Sequence, residues 1–238
     1  MQAGTMQASI QNIVVDLEFA PTPKVVKRRG LGKEIIEVGA VKLDAAGNVA
    51  GTFCRHVKPA YIEHIAPKIV RLTGIHDADV RDAESIEAVI EQFAEWAGPQ
   101  RTRLAAWSGS DKDQVQKECA FKNIELPDQM RHWIDLQRIY PRLMGVGDGR
   151  RSMALRTAAD WTGAGLDVSS AHRALYDAQV TAELMSQLLT GEYRQQKQAL
   201  AQNMGTPDKG ELTTSLGSMC AGLEDLYRQL LAQGCSEN

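Results

Sequence analysis

The segment NIVVDLEFA (residues 12–20) constrains this chain more than any other stretch. Ile13, Val15 and Leu17 alternate with Val14, Asp16 and Glu18, the period-2 pattern of a strand. Ile13-Val14-Val15 reads as buried, and Asp16 and Glu18 follow where that strand emerges. Residues at i and i+2 project from one face of a sheet, so the two carboxylates stand side by side. Acidic groups held together at the end of a buried strand repel unless something positive sits among them.

The chain around this strand reads as alternating elements. PTPKVVKRRGLGK is a loop rich in Pro, Gly and positive charge. EIIEVGAVKLD (34–44) and NVAGTFCRHVKP (48–59) are two further strands around the turn Ala46-Gly47-Asn48. A helical stretch near 65–72 ends at Gly74. A second helix carries Ile86, Val89, Ile90, Phe93 and Ala97 at helical spacing and stops at Gly98-Pro99. RTRLAAW (101–107) is a strand, residues 111–121 a helix with Val115 and Cys119 inward, and HWIDL (132–136) a short strand or a strand-to-helix junction. Two helices follow, around 152–161 and 172–189, separated by the glycine-rich TGAGLDVSS. Three sequential strands, then helices alternating with two more, imply an α/β domain with a mixed five-stranded sheet flanked by helices.

After Leu189 the character changes. GEYRQQKQALAQN is polar and helix-prone, NMGTPDKG breaks it, and Leu216, Met219, Leu223, Leu226 and Leu230 form an amphipathic stripe. The expected organisation is a domain at 1–190 and a helical C-terminal extension at 191–238. The stripe reads first as a helix packed on its own domain; a homodimer or protein-partner surface at 211–233 stays open.

Composition excludes some classes. A net charge of −3 is not that of a generally basic nucleic-acid coat, although attraction can be local. The amino terminus shows no basic stretch followed by an apolar run, and no apolar segment is long enough to span a bilayer. Cys54, Cys119, Cys220 and Cys235 form no CxxC pair and have no histidine at zinc-ligand spacing, which reads as unpaired thiols in a cytoplasmic protein.

Three further residues attract attention: Asp111 in AAWSGSDKDQV, and His172 with Asp177 in AHRALYDAQVTAELM. Each has a plain reading. Asp111 serves equally well as a helix N-cap, and His172 as the cap of a helix start with Asp177 on a solvated face. Against this, Leu175, Val180, Leu184 and Leu188 suggest a buried face near Asp177, where an unpaired carboxylate would be costly. Asp16, Glu18, Asp111 and Asp177 in one pocket would suit Mg²⁺ or Mn²⁺, because hard oxygen ligands match those ions.

Taken in order, DLEFA, IEVGAVKLD, HVKPAYIEHIAPKIVRLTGIHDADV, WSGSDKDQVQKEC and HRALYDAQVTAELM resemble the DEDDh group of 3′→5′ exonucleases, on the ribonuclease H-like fold, over residues 11–190. The pattern is most like the branch that trims RNA 3′ ends, which includes KapD-like bacterial proteins and animal enzymes acting on histone mRNA and small RNAs. That branch typically has Trp-Gly-x-x-Asp where this chain has Trp-Ser-Gly-Ser-Asp; the kept interval favours Asp111 over Asp113. A tyrosine base would stand four residues before the last Asp, where this chain has Arg173, whereas His172 at minus five fits the histidine version.

The resemblance implies that Asp16, Glu18, Asp111 and Asp177 hold two divalent ions about 3.5–4 Å apart. His172 would be the general base, with Glu18 helping to orient the attacking water. The partner would be RNA or DNA with a free 3′ end, and no membrane. The terminal nucleotide would lie over Phe19 and Ala20 and against Thr73 and Ile75, with core packing the competing reading for Phe19 and Ile75. Lys24, Lys27, Arg28, Arg29 and Lys33 would contact backbone phosphates, or form a merely solvated loop. His56, His64, His76 and His132 read as structural or exposed, and Asp135 as an N-cap. The rival readings are a DNA proofreading or repair exonuclease, a non-catalytic nucleic-acid-binding module on the same fold, and an endonucleolytic member of the wider ribonuclease H-like group, which the His172/Asp177 motif disfavours. Phe19-Ala20-Pro21, in place of the Thr-Thr-Gly usual in proofreading types, leans towards RNA.

Overall fold

The computed structural model describes residues 10–145, 153–162 and 172–203. The strands are β1 (Gln11–Pro21), β2 (Lys33–Leu43), β3 (Val49–Lys58), β4 (Glu84–Ser85), β5 (Thr102–Ala106) and β6 (Trp133–Asp135). They form one sheet in the order β4-β3-β2-β1-β5-β6. β1–β3 pair antiparallel in sequence, while β5 pairs parallel to β1 and β6 parallel to β5. All five expected strands are present. The sixth, β4, is a two-residue edge piece paired with the end of β3, too short to leave a sequence pattern.

β1 realises its alternation. Ile13, Val15 and Leu17 enter a core with helices α4 (Ile86–Ala97) and α5 (Gly109–Lys122) on one side of the sheet. Val14 packs on the other side with α6 (Leu136–Met144), α7 (Leu155–Thr162) and α8 (Ala174–Thr190). Each fully buried Val, Leu or Ile stabilises the fold by roughly 1.5–3 kcal/mol, so the two-sided burial of β1 fixes its register firmly. Asp16 and Glu18 belong to the α8 side by the same parity, one and two steps beyond Val14.

Local signals explain most boundaries. Asp44 Oδ1 accepts hydrogen bonds from the N–H groups of Ala46 (2.9 Å) and Asn48 (2.8 Å), which closes the β2–β3 turn with Gly47 at φ 85°. α2 (Pro67–Thr73) starts on proline and ends on Gly74 at φ 71°. α3 (Asp77–Arg81) follows with a capping box formed by His76 and Asp79. Asp135 caps α6, accepting from the Arg138 N–H at 3.2 Å.

One expectation needs correction. The loop at 22–33 contains a short helix, α1 (Lys24–Arg28), started by Pro23 and anchored by buried Val26. HWIDL is both a strand and a junction, leading into α6, whose interior holds Pro141. Burial of Tyr140, Leu143 and Met144 outweighs the missing N–H of that proline. At the start of the 191–238 segment, α9 (Tyr193–Asn203) touches α6, α7 and α8, and Tyr193 joins their core. TGAGLDVSS, apart from Thr162 at the end of α7, and the stripe at 211–233 lie outside the described residues. Among the described residues no helix is long and apolar enough to cross a membrane.

A helix approaches the sheet very closely at Gly39. A Cβ there would stand 2.2 Å from the Ala174 carbonyl carbon and the Leu175 nitrogen, so the first turn of α8 rests on bare β2 backbone. Gly39→Ala should therefore destabilise the protein by about 1–3 kcal/mol or more in urea denaturation. An unchanged midpoint would contradict this contact.

Candidate active site

The site forms where three chain segments meet at one end of β1. β1 pairs with β5 only as far as Val14 opposite Ala105. Beyond Ala106 the chain turns away into α5, and the Leu17 N–H on that edge is met by a side chain instead: Asp111 Oδ1 accepts it at 3.2 Å. Ser108, not Asp111, caps α5. Its Oγ accepts from the Ser110 N–H and donates to Asp111 Oδ2, each at 3.3 Å. This frees the Asp111 carboxylate to reach across to β1 from the first turn of the helix, whose dipole favours an anion there. Asp111 is 5% exposed, whereas Asp113 lies out in solvent.

The third segment is the start of α8. Gly39, which admits its first turn, stands opposite Asp16 in the β1–β2 register, and Glu37 stands opposite Glu18. Glu37 is fully buried and accepts from Arg173 Nη2 at 2.7 Å, Arg173 Nε at 3.3 Å and the Ala174 N–H at 2.9 Å. Docked this way, α8 carries Asp177 in its first turn over Asp16 and Glu18. Ligand atoms of Glu18, His172 and Asp177 lie within 4.8 Å of one another, Glu18 and Asp177 partly buried and His172 exposed. The His172 N–H donates to Asp177 Oδ2 at 3.3 Å, and His172 adopts the left-handed φ of 64°. It is not the cap of α8, since Arg173 holds that position.

These groups perturb one another strongly. Burial, then the charges of Asp111, Asp177, Glu18 and Glu37, push the Asp16 carboxyl well above the usual carboxylate range. Burial and the same neighbourhood, Asp177 foremost, raise Glu18 to about 8. Asp111 is pushed up to about 6 by burial, against the hydrogen bonds from Ser108 and Leu17 that hold it down. Asp177 is raised by burial, partly offset by the adjacent His172. Glu37 is the exception. Burial would raise it too, but the hydrogen bonds from His56, Arg173 and Ala174 bring it down to about 2. The donor set thus fits a divalent cation: clustered hard oxygens, short of positive charge, with an imidazole beside them.

The expected nucleotide-binding side chains are not all at the surface. Ala20 and Ile75, 0% and 1% exposed, belong to a third core cluster with Ile36, Ile65 and Val80. Thr73 is 3% exposed; its hydroxyl donates to the Ile69 carbonyl at 3.0 Å and accepts the Ile75 N–H at 3.1 Å. Packing of α2 and α3 onto the sheet places these three side chains inside. Phe19 is partly buried, with the Lys33 ammonium 4.2 Å from its ring centre. Lys24, Lys27, Arg28, Arg29 and Lys33 are all exposed on the arm that directly follows β1. Glu37 and Arg173 were not recognised as site residues. A lone acid inside the apolar run EIIEVGAV was the available signal, because buried charges are paired.

A mixed sheet with helices on both sides, and an acidic site at the outer end of its central strand β1, make this a ribonuclease H-like protein. The family model described as Exonuclease (RNase_T) matches residues 13–185. The chain belongs to that exonuclease family. ERI1 exoribonuclease 2 of Danio rerio is 28% identical over 182 residues, covering 67% of this chain and 32% of that protein. A PolC-type DNA polymerase III of Bacillus cereus is 26% identical over 205 residues, covering 82% of this chain and 13% of the polymerase. The chain therefore spans a third or less of the length of these relatives. Among solved structures, the nuclease domain of 3′hExo, a DEDDh family member bound to rAMP, superposes with a TM-score of 0.66 at 19% identity, covering 79% of this chain and 95% of that one.

The raised carboxyl pKa values have a consequence for stability. The folded site keeps protons that the unfolded chain has already released. Its contribution is fully present below the ordinary carboxylate range and is lost as pH rises through about 6 for Asp111 and about 8 for Glu18. Glu37 acts oppositely, but only in acid, as pH falls towards about 2. In chelator, the thermal midpoint should fall as pH is raised through that interval, and added Mg²⁺ should raise it more at the alkaline end. A midpoint that climbs steadily over the same interval would contradict the charge assignment.

Proposed function

We propose that this chain is a divalent-metal-dependent 3′→5′ exonuclease that removes nucleotides one at a time from the 3′ end of RNA. The observation that carries this reading is the convergence of Asp16, Glu18, Asp111 and Asp177 with His172 at one end of β1, in a chain of the exonuclease family. Two ions, Mg²⁺ or Mn²⁺, held by the four carboxylates would supply charge neutralisation and Lewis-acid polarisation at the scissile phosphate. His172, exposed beside Glu18 and Asp177, takes the proton of the attacking water as general base. Glu18 orients that water. Attack at phosphorus with departure of the 3′ oxygen leaves a nucleoside 5′-monophosphate.

The basic arm gives the acidic site a complement. Lys27, Arg28 and Arg29, with Lys24 and Lys33, present positive charge immediately beyond Glu18, placed to hold backbone phosphates of the strand whose end is being cut. The exposed edge of Phe19 offers an apolar contact to the terminal base. The exoribonuclease relative and the Phe19-Ala20-Pro21 sequence favour RNA. Similarity to the PolC-type polymerase over 82% of the chain supports DNA as the second reading. A module that binds without cutting gains nothing from carboxylates that repel phosphate.

Asp16→Asn and Asp177→Asn should each abolish release of mononucleotides from 3′-free RNA while leaving the circular dichroism spectrum unchanged. Full activity in either would remove the carboxylates from the mechanism. His172→Ala should lower the rate by on the order of 10²–10⁴. Oligonucleotides blocked at the 3′ end should resist cleavage and those blocked at the 5′ end should not; metal-independent or purely internal cutting would overturn the reading. Replacing Lys27, Arg28 and Arg29 together by Ala should weaken binding alike across sequences and flatten its salt dependence.

A further inference from the structure

His172 holds a backbone conformation that a β-carbon disfavours, at φ 64°. Something must hold it there. Its own N–H is tied forward to Asp177 Oδ2. The next residue is tied down to the sheet: Arg173 grips Glu37 through both Nε and Nη2, and the Ala174 N–H reaches the same carboxylate. Glu37 cannot follow if α8 moves. It lies buried in the interior strand β2, with His56 Nε2 3.3 Å from its Oε1. Two residues along β2, Gly39 receives the Ala174 backbone with no room to spare. The two points of attachment are the register partners of Glu18 and Asp16.

We infer that Glu37 and Arg173 are positioning residues: a latch that fixes the left-handed turn at His172 and so sets the imidazole against Glu18 and Asp177. The guanidinium is spent on Glu37 in a two-point contact, the geometry in which Arg fixes orientation and Lys does not. Arg173 therefore acts through His172 and not by holding the substrate. This rests on the exonuclease reading for its kinetic consequences, but the latch itself is a statement about residues 172–177.

The experiment uses the full chain and its variants Arg173→Met, Arg173→Lys, Glu37→Gln, His172→Ala and the double variant His172→Ala/Arg173→Met. Turnover of 3′-free RNA is measured alongside amide hydrogen exchange. Arg173→Met should lower kcat by about tenfold or more with KM changed less than about twofold, the signature of a lost transition-state arrangement. Arg173→Lys should restore only part of the loss. In the His172→Ala background the same Arg173 change should alter kcat by less than about threefold, because both act on one group. Should Arg173→Met fail to fold, Glu37→Gln is read by the same criteria.

A rise in KM at constant kcat would make Arg173 a substrate contact and overturn the latch. Losses that multiply in the double variant would overturn it as well. Independently of activity, Arg173→Met and Glu37→Gln should speed exchange at residues 172–177 without changing that of β1 and β2. Unchanged protection there refutes the latch, while an inactive wild-type chain with the expected exchange refutes only the exonuclease reading.

Discussion

Like-charge repulsion at the outer end of β1 is the constraint around which the molecule is organised. Asp16, Glu18, Asp111 and Asp177 come from three separate segments, and each is held at a pKa above its ordinary value. A like-charge pair about 4 Å apart costs on the order of 1–4 kcal/mol between the aqueous and near-surface limits. Several such pairs together rival the roughly 5–15 kcal/mol that keeps a domain folded. The carboxylates cannot all be ionised together without a partner. Protons serve at low pH, and a divalent cation is what the oxygen donor set accommodates near neutrality.

The forces that hold the carboxylates together act elsewhere. Two apolar cores clamp β1 from both sides, so its acidic end cannot retreat without withdrawing Ile13, Val15 and Leu17 from one core and Val14 from the other. α5 is fixed by its packing and by Ser108, which leaves Asp111 to satisfy the Leu17 N–H that β5 no longer reaches. α8 is fixed by Gly39 and by the ion pair on Glu37. That pair is the charge arrangement the site itself lacks: a buried carboxylate matched by a guanidinium and a backbone N–H, and held at a pKa of about 2. Two carboxylates facing each other across β1 and β2, Glu18 and Glu37, thus differ by several pKa units because only one has a resident cation.

Much of this was legible in the chain, and the limits have physical causes. The alternation at Ile13–Glu18 specified a strand, its faces and a shared side for two acids, because period-2 geometry is local. The breaks at Gly74, Gly98 and Asp135 were legible for the same reason. Glu37 and Arg173, separated by well over a hundred positions, make their contact only in three dimensions; Glu37 stands out as an acid inside an apolar run, but nothing local marks Arg173 as its partner. Asp111 looked like a cap because Ser108 and Asp111 compete for that role at neighbouring positions, and only the fold shows which one is needed by Leu17. Ile75 could be read as exposed or buried from LTGI alone; the packing of α2 and α3 places it inside. α1 was hidden by the prolines and glycines of its loop, and α6 by Pro141, since the burial that stabilises each depends on distant partners.

The central claim is that the acidic cluster is a divalent-cation site. Calorimetric titration of the chelated protein with Mn²⁺ near pH 7, in two buffers of different ionisation enthalpy, tests it most directly. Saturable binding should be accompanied by net proton release, because Glu18, raised to about 8, gives up its proton to the metal, and Glu18→Gln should reduce both the affinity and the number of protons released. Absence of binding at millimolar Mn²⁺, or binding indifferent to Glu18→Gln and without proton release, would contradict the account.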